Sequence, residues 1–453
     1  MIADEFTFAQ VRTVTNAICA HFRSTLPNND VMIVGHDTRF LGERFAAECA
    51  GLVGANGLRA LLCDGPTPTP TISHAIRSQQ AVCGINFTAS HNPPEYSGMK
   101  LSTADGAPAL PEVTHRVERL ISESESQSGN ADTQTADYEI HVPRPAYLSD
   151  LEKKINFATI ARGGGRYAYD PLWGTGRRYL DEVLRAHGIE VHTIHDWRDV
   201  LFGGRSPEPE ATHLDELRRV VLSKGCALGL ATDGDGDRFG VIDSNGIFIK
   251  PNQLIALLFD YLAESRGWTG GVARSVATSH LVDRVAQARR LPVYETPVGF
   301  KYIGELINED KIILGGEESA GLSIKGHYPE KDGILACLLA AEAVAACGAS
   351  LSEQLDAIYA KVGRLENARI GVRLSPQMMA SLSDKLSQDP GDIGGHRVEH
   401  TNRADGVKFI FAEGSWLLMR PSGTEPLVRI YAESESAKDL EVLLEQGRKY
   451  LLG

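Results

Sequence analysis

A threefold repeat of strand, loop, helix and strand is the feature that most constrains how this chain can fold. In each copy an apolar run leads into a short polar loop, an amphipathic helix and a second apolar run. The three copies lie at residues 31–65, 166–194 and 271–294. Gly57 and Gly188 stand where the first two helices should end, as helix-terminating glycines do. Because apolar strands that alternate with helices are typical of α/β layers, the repeat predicts three related α/β domains.

The last part of the chain follows a different pattern. From about residue 366, apolar and polar residues alternate, and two further apolar runs precede a helix that we expect to begin near Ser436. This period of two is typical of a half-buried antiparallel sheet, which predicts a fourth domain of α+β type. The segment Ser122–Asp137 is polar and is interpreted as a surface linker. The predicted domains are 1–145, 146–250, 251–365 and 366–453.

Composition narrows the class of protein. At 453 residues the chain is too long for one hydrophobic core, and its net charge of −13 argues against nucleic acid, which needs a basic surface. The seven cysteines are scattered without a CxxC pair, as is typical of reduced thiols in the cytosol. Asp4 and Glu5 stand where a signal peptide would be basic, and the apolar stretch Ile334–Cys347 is too short for a bilayer. We therefore expect a cytoplasmic, soluble protein with no nucleic-acid or membrane partner.

The loop TASHNPP, from Thr88 to Pro94, is the first that could carry chemistry. It follows a strand-like run that ends at Phe87, and its two prolines remove backbone donors and disfavour helix. The result should be a stiff loop at a strand end that presents Ser90 and His91. Lys100 follows closely enough to serve as a base for a nucleophilic hydroxyl. An ordinary polar turn is the alternative that this loop alone leaves open.

The segment DGDGDR, which ends at Arg238, is the second loop that could carry chemistry. Its three carboxylates, Asp233, Asp235 and Asp237, can converge on one hard cation because the glycines between them allow a tight backbone path. An EF-hand calcium loop is excluded, since its sixth position would hold Arg238 and its twelfth Ser244. Three carboxylates instead predict Mg²⁺, with positions left for a substrate oxygen.

Two further loops offer groups that bind phosphate and sugar. The loop RPSGTEP, which begins at Arg420, combines a guanidinium, two hydroxyls and a glycine N–H, and Arg429 could add a second guanidinium. In GGEES, Glu317 and Ser319 would share a face of an extended chain and offer a carboxylate and a hydroxyl to sugar hydroxyls. Each loop alone is also compatible with an ordinary turn. Weaker candidates for substrate contact, by position, are Gly299, Lys301, His327 and Lys331.

Taken together, the four loops closely resemble those of the α-D-phosphohexomutase superfamily, particularly its phosphoglucomutase/phosphomannomutase branch. TASHNPP with the later lysine, DGDGDR, GGEES and RPSGTEP occur in the same order, one per domain, over nearly the whole chain. The resemblance implies a heart-shaped molecule with a central cleft, built from three similar α/β domains and a smaller fourth domain. That architecture agrees with the repeat.

The resemblance also implies roles for individual residues. Ser90 is similar to the family's phosphoserine, and its phosphate would complete the Mg²⁺ site of the three aspartates. Lys100 matches the proposed general base, and Arg238 stands where the family places a charge beside the transferring phosphoryl group. Glu317 and Ser319 match the sugar-hydroxyl readers. The residues that match the distal phosphate clamp are Arg420, Ser422, Gly423, Thr424 and Arg429, and His327 and Lys331 lie in a family-like segment, GHYPEKDG.

The start of the chain departs from the family. A strand and a loop of the form FGTxGxR usually come before the segment that resembles Ile2–Thr7, and they are missing here. We expect either a truncated start or a chain that lacks a strand and an arginine that the family keeps near the site.

The resemblance implies a mutase mechanism. Phosphorylated Ser90 would donate its phosphoryl group to the free hydroxyl of a bound hexose phosphate, and the other phosphoryl of the resulting 1,6-bisphosphate would return to Ser90. Lys100 would take the hydroxyl proton, for which we expect a lowered pKa. The expected reaction interconverts hexose 1-phosphate and hexose 6-phosphate, with Mg²⁺ as cofactor and glucose 1,6-bisphosphate as activator.

The sugar is predicted from the centre of the GGEES loop. With Glu318 at its centre, EES resembles phosphoglucomutase-type members, whereas glucosamine mutases more usually carry EQS, so glucose is favoured, with mannose as a second substrate. The alternatives are a non-catalytic sugar-phosphate-binding homologue, a mutase for a pentose or hexosamine phosphate, and a phosphatase or kinase-like phosphotransferase. Because the sequence has no GxxxxGK[ST] loop, ATP is disfavoured.

Overall fold

The computed structural model describes residues 1–2, 4–26, 29–125, 135–422 and 427–452. Within them the chain forms three mixed sheets that carry helices and one antiparallel sheet. The predicted architecture of three similar α/β domains followed by an α+β domain is confirmed. We refer to these parts as the first (residues 1–141), second (144–249), third (251–362) and fourth (366–452) units.

The first unit has a five-stranded sheet in the order β4-β3-β1-β2-β5, parallel except where β4 runs against β3. Its elements are α1 (Phe8–Thr25), β1 (Val31–His36), α2 (Gly42–Ala55), β2 (Arg59–Cys63), α3 (Thr69–Ser78), β3 (Cys83–Phe87), β4 (Met99–Thr103), α4 (Pro111–Glu125) and β5 (Glu139–His141). The predicted linker at Ser122 starts too early, because α4 continues to Glu125, and most of the remaining linker lies outside the described residues.

The second unit has five strands in the order β10-β9-β8-β6-β7, with β9 antiparallel to both of its neighbours. Its elements are α5 (Arg144–Lys154), α6 (Phe157–Arg162), β6 (Tyr167–Asp170), α7 (Leu180–Ala186), β7 (Val191–Thr193), a short 3₁₀ turn (Phe202–Gly204), α8 (Asp215–Lys224), β8 (Leu228–Thr232), β9 (Phe239–Asp243) and β10 (Phe248–Ile249).

The third unit has four strands in the order β12-β11-β13-β14, of which only β14 is antiparallel. Its elements are α9 (Pro251–Ser265), β11 (Gly271–Ser275), α10 (Leu281–Arg289), β12 (Val293–Thr296), α11 (Phe300–Asn308), β13 (Ile312–Glu317), β14 (Gly321–Ile324), α12 (Gly333–Cys347) and α13 (Leu351–Val362).

The fourth unit is an antiparallel sheet in the order β15-β20-β19-β18-β17-β16, with two helices. Its elements are β15 (Glu366–Arg373), α14 (Pro376–Ser387), β16 (Asp392–Ile393), β17 (His396–Asn402), β18 (Val407–Phe411), β19 (Trp416–Pro421), β20 (Leu427–Ser434) and α15 (Ala437–Leu452).

The three α/β units repeat one topology. In each, a central strand (β1, β6 or β11) lies between two parallel neighbours, and one neighbour (β3, β8 or β13) also pairs with an antiparallel strand. The connection into that antiparallel strand carries Ser90 in the first unit, the three aspartates in the second and Ser319 in the third. Ligand sites of open α/β sheets form outside the carboxyl ends of such strands. The repeat therefore places the three loops at equivalent ends of three sheets.

In the second copy of the repeat, the helix expected to end near Gly188 is short, since α7 begins only at Leu180. The chain before it has positive φ angles at Leu172, Trp173 and Arg178, of 47°, 56° and 64°. These residues wrap the DGDGDR loop instead of forming a helical turn, and the Thr175 N–H donates to the Gly234 carbonyl at 3.0 Å. A tertiary contact thus overrides the local helical pattern.

One hydrophobic core runs through the second and third units, from Tyr147 on α5 to Ile358 on α13, whereas the first and fourth units each have a core of their own. The second and third units consequently pack against each other around this shared core. In the described parts of the chain no single helix is long and apolar enough to cross a membrane; α12 and α13, bent by 79°, pass that test only as a pair.

Candidate active site

Ser90 lies in the connection between β3 and β4 with a φ of 53°, a left-handed conformation that is uncommon outside glycine. Its N–H donates to Thr88 Oγ1 at 2.8 Å, and that hydroxyl donates to Asp37 Oδ2 at 2.7 Å. The Ser90 hydroxyl lies 3.0 Å from Asp233 Oδ2 on the second unit. The predicted loop at a strand end is present, and backbone strain of this kind is found at functional sites.

Arg39, on the connection after β1, holds this loop in place. Its guanidinium is fully buried and donates to four carbonyl oxygens, those of Ser90, Asn92, Pro93 and Tyr96, at 2.7 to 3.1 Å. It also pairs with Asp37 at 3.0 Å. Burial raises the pKa of Asp37 to about 6 although Arg39 opposes that rise. Five donors in a rigid fork suit this role, which no Lys could fill.

Asp233, Asp235 and Asp237 are buried and converge as predicted. Among the described residues they are the one group of three or more His, Cys, Asp or Glu whose ligand atoms all lie within 4.8 Å of one another. Asp235 Oδ2 accepts from Thr69 Oγ1 at 2.7 Å, whereas Oδ1 of Asp235 and Oδ1 of Asp237 are buried with no hydrogen-bond partner in the described chain. Buried anionic oxygens without donors are costly, and a hard cation would satisfy them. The donor set therefore fits Mg²⁺.

Two lysines contact the aspartates. Lys100 Nζ lies 2.6 Å from Asp235 Oδ2 and 2.8 Å from Asp237 Oδ2, and Lys331 Nζ lies 3.0 Å from the same oxygen of Asp237. Burial and the two neighbouring carboxylates raise the pKa of Asp233 well above its ordinary value. Burial acts in the same direction on Asp235 and Asp237, but Lys100 at both, and Lys331 at Asp237, hold the pKa of each below the ordinary value.

The expectation of a lowered pKa at Lys100 is wrong for this arrangement. Burial does act to lower it, but Asp235 and Asp237 raise the pKa of Lys100 well above its ordinary value. An ammonium group that is paired with two carboxylates is a proton donor and a cation, not a base. Lys100 can accept a proton only after those carboxylates are neutralised.

His91 and Arg238 flank the Ser90 hydroxyl and the aspartates. His91 Nδ1 lies 3.5 Å from Ser90 Oγ, and burial, with Arg238 nearby, lowers the pKa of this imidazole to about 3. The ring is therefore neutral at neutral pH. The backbone N–H of Arg238 donates to Asp233 Oδ1 at 3.0 Å, and its guanidinium pairs with Glu208 at 3.3 Å, while its buried Nε has no partner in the described residues.

Glu317 ends β13 and is buried. Its Oε1 accepts from the Gly299 N–H at 2.7 Å, and burial, together with Glu318, raises its pKa to about 7. Gly299 has a φ of 128° and lies directly before α11, whose first turn contains Lys301. The loop that carries the candidates Gly299 and Lys301 thus contacts Glu317, the predicted sugar reader.

The expectation that Glu317 and Ser319 share a face of an extended chain is wrong. The strand ends at Glu317, and Glu318, Ser319 and Ala320 form the turn into β14, where Ala320 has a φ of 68°. Glu318 is held by Ser275 at 3.0 Å and Thr278 at 3.2 Å, so it supports the turn. Ser319 instead lines a cavity of about 370 Å³ where the second, third and fourth units meet, with Arg238 in the same wall.

His327 differs from the prediction. It is buried, with Nε2 2.9 Å from Asp332 and Nδ1 3.0 Å from Lys154, so neither ring nitrogen is available to a substrate in this arrangement. Asp332 also caps α12 by accepting from the Leu335 N–H at 2.9 Å. The histidine of GHYPEKDG therefore supports the segment, while Lys331 from the same segment reaches the aspartates.

The predicted phosphate clamp lies on the hairpin of β19 and β20. Arg420 and Arg429 are direct cross-strand partners, and Arg429 is exposed. Like charges placed opposite each other are unfavourable alone but suit a bound anion. The Ser422 N–H donates to the Leu427 carbonyl at 2.8 Å. Gly423 and Thr424 lie outside the described residues.

Sequence reasoning missed several supporting residues. Thr69 reaches Asp235, Asp37 and Arg39 hold the Ser90 loop, and Asp405 accepts from Arg420 Nε at 2.8 Å. The polar loop after β1 was visible in the sequence, but nothing in it indicated that a residue 51 positions away would receive its guanidinium.

Comparison with known proteins gives one consistent family. Four family models match: phosphoglucomutase/phosphomannomutase, alpha/beta/alpha domain I over residues 1–128, domain II over 145–246, domain III over 250–362, and the C-terminal domain over 353–449. A phosphoglucomutase/phosphomannomutase of Thermococcus kodakarensis is 30% identical over 93% of this chain and 90% of that protein. A "Probable phosphoglucosamine mutase" of Methanosphaera stadtmanae is 29% identical over 99% of this chain and 95% of that protein.

A solved structure agrees with these relatives. It is a "putative phosphomannomutase" from Thermus Thermophilus, 34% identical, with a TM-score of 0.87 over 100% of this chain and 96% of that chain. The similarity extends over all four units.

Proposed function

The chain belongs to the phosphoglucomutase/phosphomannomutase family of the α-D-phosphohexomutase superfamily, whose enzymes are intramolecular phosphotransferases, and we propose that it interconverts hexose 1-phosphate and hexose 6-phosphate through a phosphorylated Ser90. The observation that carries this proposal is the 3.0 Å approach of the Ser90 hydroxyl to Asp233, inside a set of three buried carboxylates. A phosphoryl donor beside a cation site is the arrangement that phosphoryl transfer needs.

The proposed cycle keeps its atoms in balance. The bond between Ser90 Oγ and phosphorus breaks as the oxygen of the free hydroxyl of the bound hexose phosphate bonds to that phosphorus, which gives a 1,6-bisphosphate. The proton that this hydroxyl loses ends on Ser90 Oγ, which leaves as a hydroxyl. After the sugar turns over, its other phosphoryl group returns to Ser90, so the sugar leaves with its phosphate on the other carbon. When bound, Mg²⁺ held by Asp233, Asp235 and Asp237 would stabilise charge on the transferring group.

Side chains of this protein would accept the proton of the attacking hydroxyl and stabilise the charge of the transferring phosphoryl group. Lys100 and Lys331 are the two amines at the aspartates, and Lys100 is the proposed acceptor of the hydroxyl proton once its carboxylate partners are neutralised. Arg238, with an unpaired buried Nε among the described groups, supplies a positive charge beside the phosphoryl group. Neutral His91 is the proposed hydrogen-bond acceptor for the Ser90 hydroxyl after phosphoryl release.

Substrate contacts fall on the third and fourth units. Glu317 and Ser319 are proposed to read sugar hydroxyls, with Gly299 and Lys301 beside them, and Arg420 and Arg429 to hold the phosphate that does not react. Glucose is the proposed substrate and mannose the second. Glucosamine is included in the test because several relatives, among them ones that are 29%, 31% and 32% identical, are named "Probable phosphoglucosamine mutase".

The test is a coupled assay with Mg²⁺ and a catalytic amount of the matching 1,6-bisphosphate. Glucose 1-phosphate, mannose 1-phosphate and glucosamine 1-phosphate are run in parallel, each through enzymes that detect its own 6-phosphate. We expect turnover with glucose 1-phosphate and a loss of about 10³-fold or more in Ser90→Ala, since the phosphoryl carrier is gone. The matched control is Ser122→Ala, an exposed serine on α4.

Intact-mass measurement separates the alternatives. The mutase should carry one phosphoryl group that Ser90→Ala lacks and should release no phosphate. A folded wild type without turnover on any of the three sugars would contradict the proposal and favour a binding-only homologue, and phosphate release without isomerisation would favour a phosphatase.

A further inference from the structure

Asp405 connects the fourth unit to the third at the predicted substrate site. It lies in the connection between β17 and β18, and its Oδ2 accepts two hydrogen bonds. One comes from Arg420 Nε at 2.8 Å, within the fourth unit, and the other from the Val298 N–H at 3.0 Å, on the third unit. A single carboxylate oxygen thus joins the arginine of the phosphate clamp to the loop before α11.

The next amide along that loop is also held by a carboxylate. The N–H of Gly299 donates to Glu317 Oε1 at 2.7 Å, so two consecutive amides bind carboxylates of two different units. Gly299 has a φ of 128°, which residues with a side chain rarely adopt, so this loop path favours glycine at that position. A displacement of Asp405 would therefore also displace the Gly299 N–H from which Glu317 accepts.

The contact at Nε also fixes how Arg420 presents its charge. A guanidinium has five N–H donors in one plane, and Asp405 uses the donor nearest the chain. The terminal nitrogens keep the fork that binds phosphate oxygens in pairs, next to the cross-strand partner Arg429. Without Asp405, Arg420 would have to be ordered each time a phosphate binds.

We propose that Asp405 is a positioning residue that sets Arg420 and the Val298–Gly299 loop together, so that the phosphate clamp and the sugar reader act as one binding surface. This inference rests on the proposed function for the roles of Arg420 and Glu317. It assigns Asp405 no contact with substrate.

The direction of the change in KM distinguishes positioning from a simple charge effect. A carboxylate that acted only through its charge would repel the substrate phosphate, and its removal would lower KM. Positioning predicts the opposite: Asp405→Ala should raise KM for the hexose phosphate by about tenfold, while kcat changes by less than about threefold. Asp405→Asn keeps one acceptor oxygen and should give a smaller rise.

Hydrogen exchange on the full-length protein supplies a readout that needs no activity. The Val298 amide should exchange about tenfold faster in Asp405→Ala than in wild type, because it loses its acceptor. The matched control is Asp389→Ala, which removes an exposed carboxylate paired with Arg403 at 2.6 Å in the same unit. The control should change neither KM nor Val298 exchange.

Each result decides the matter. A KM in Asp405→Ala that falls or stays at the wild-type value overturns the positioning role, even if exchange is faster. Unchanged exchange at Val298 overturns the link between the units. If wild type turns over no hexose phosphate, the proposed function has failed separately, and faster Val298 exchange in Asp405→Ala alone still supports the link that Asp405 makes.

Discussion

The Ser90 hydroxyl lies 3.0 Å from the Asp233 carboxylate, although 143 residues separate the two in the chain. The backbones on which they lie also meet, since a Cβ added at Gly234 would lie 2.6 Å from the Ser90 carbonyl oxygen. The contact between the Ser90 and Asp233 loops therefore depends on the absence of a side chain at position 234.

Gly234→Ala should separate the two loops. Because the new methyl group would collide with rigid backbone, the Ser90 and Asp233 loops must move apart by a few tenths of an ångström or more. Misplacement of reacting groups by about 1 Å can cost about 10²-fold in rate, so we expect a loss of kcat of about tenfold to 10²-fold in the coupled assay. Gly65→Ala, where a Cβ meets no atom within 4 Å in the described chain, should retain wild-type activity. Equal activity of the two variants would contradict this account.

Arg39→Ala should destabilise the first unit strongly. It leaves Asp37 as a buried carboxylate without its cation and four carbonyls of the Ser90 loop without their donor. Breaking a buried ion pair by removing one partner costs about 3–5 kcal/mol. Thermal unfolding followed by circular dichroism should show a transition at a lower temperature than in wild type. Arg59→Ala, which removes an exposed pair with Glu139, should melt as wild type does, and identical melting of Arg39→Ala would show that the loop does not need Arg39.

Mg²⁺ should stabilise the protein through the three aspartates. At a Mg²⁺ concentration about 100 times Kd, binding to the folded state adds about 2.7 kcal/mol, so the melting temperature should rise when EDTA is replaced by Mg²⁺. In Asp235→Asn that rise should be lost, because one of the three carboxylates no longer carries charge. Asp215→Asn, on the surface of α8, is the control and should keep the full rise. A rise of equal size in Asp235→Asn would place the stabilising ion elsewhere.

Glu317 should make stability depend on pH. Its pKa is raised from 4.5 to about 7 by burial, so between these values the unfolded chain releases a proton that the folded protein retains. The free energy of unfolding consequently falls as pH rises from about 4.5 to about 7 and is level above that, by an amount on the order of 3 kcal/mol. Glu317→Gln lacks this fall. Its melting temperature relative to wild type should therefore be higher at pH 8 than at pH 4.5.

The control for this pH effect is Glu305→Gln, an exposed residue on α11. Its difference from wild type should be the same at both pH values. A constant difference for Glu317→Gln as well would mean that Glu317 ionises normally in the folded protein.

Much of the architecture could be predicted because it depends on local patterns. A short continuous apolar run such as Val31–Val34, which leads into a polar loop, favours a buried strand, and the period of two after residue 366 favours a sheet with one covered face. Predicted ends differed from the observed ends where a tertiary contact intervened, as before α7, where the chain wraps the DGDGDR loop. The same holds at Glu317, where the strand gives way to a turn.

By itself the sequence determined the repeat, the α+β end of the chain, and the residue types suited to phosphoryl chemistry. The reason is that strand periodicity, carboxylates spaced by glycines and a serine loop with two prolines are all properties of neighbouring residues. Only the tertiary structure decided which distant groups meet. It placed Lys100 on the aspartates, which reverses the direction of its pKa shift, buried His327 against Asp332, and joined Arg420 to Val298 through Asp405. The physical reason is that hydrogen bonds and charge interactions depend on distances of a few ångströms between units, and no pattern along the chain specifies those distances.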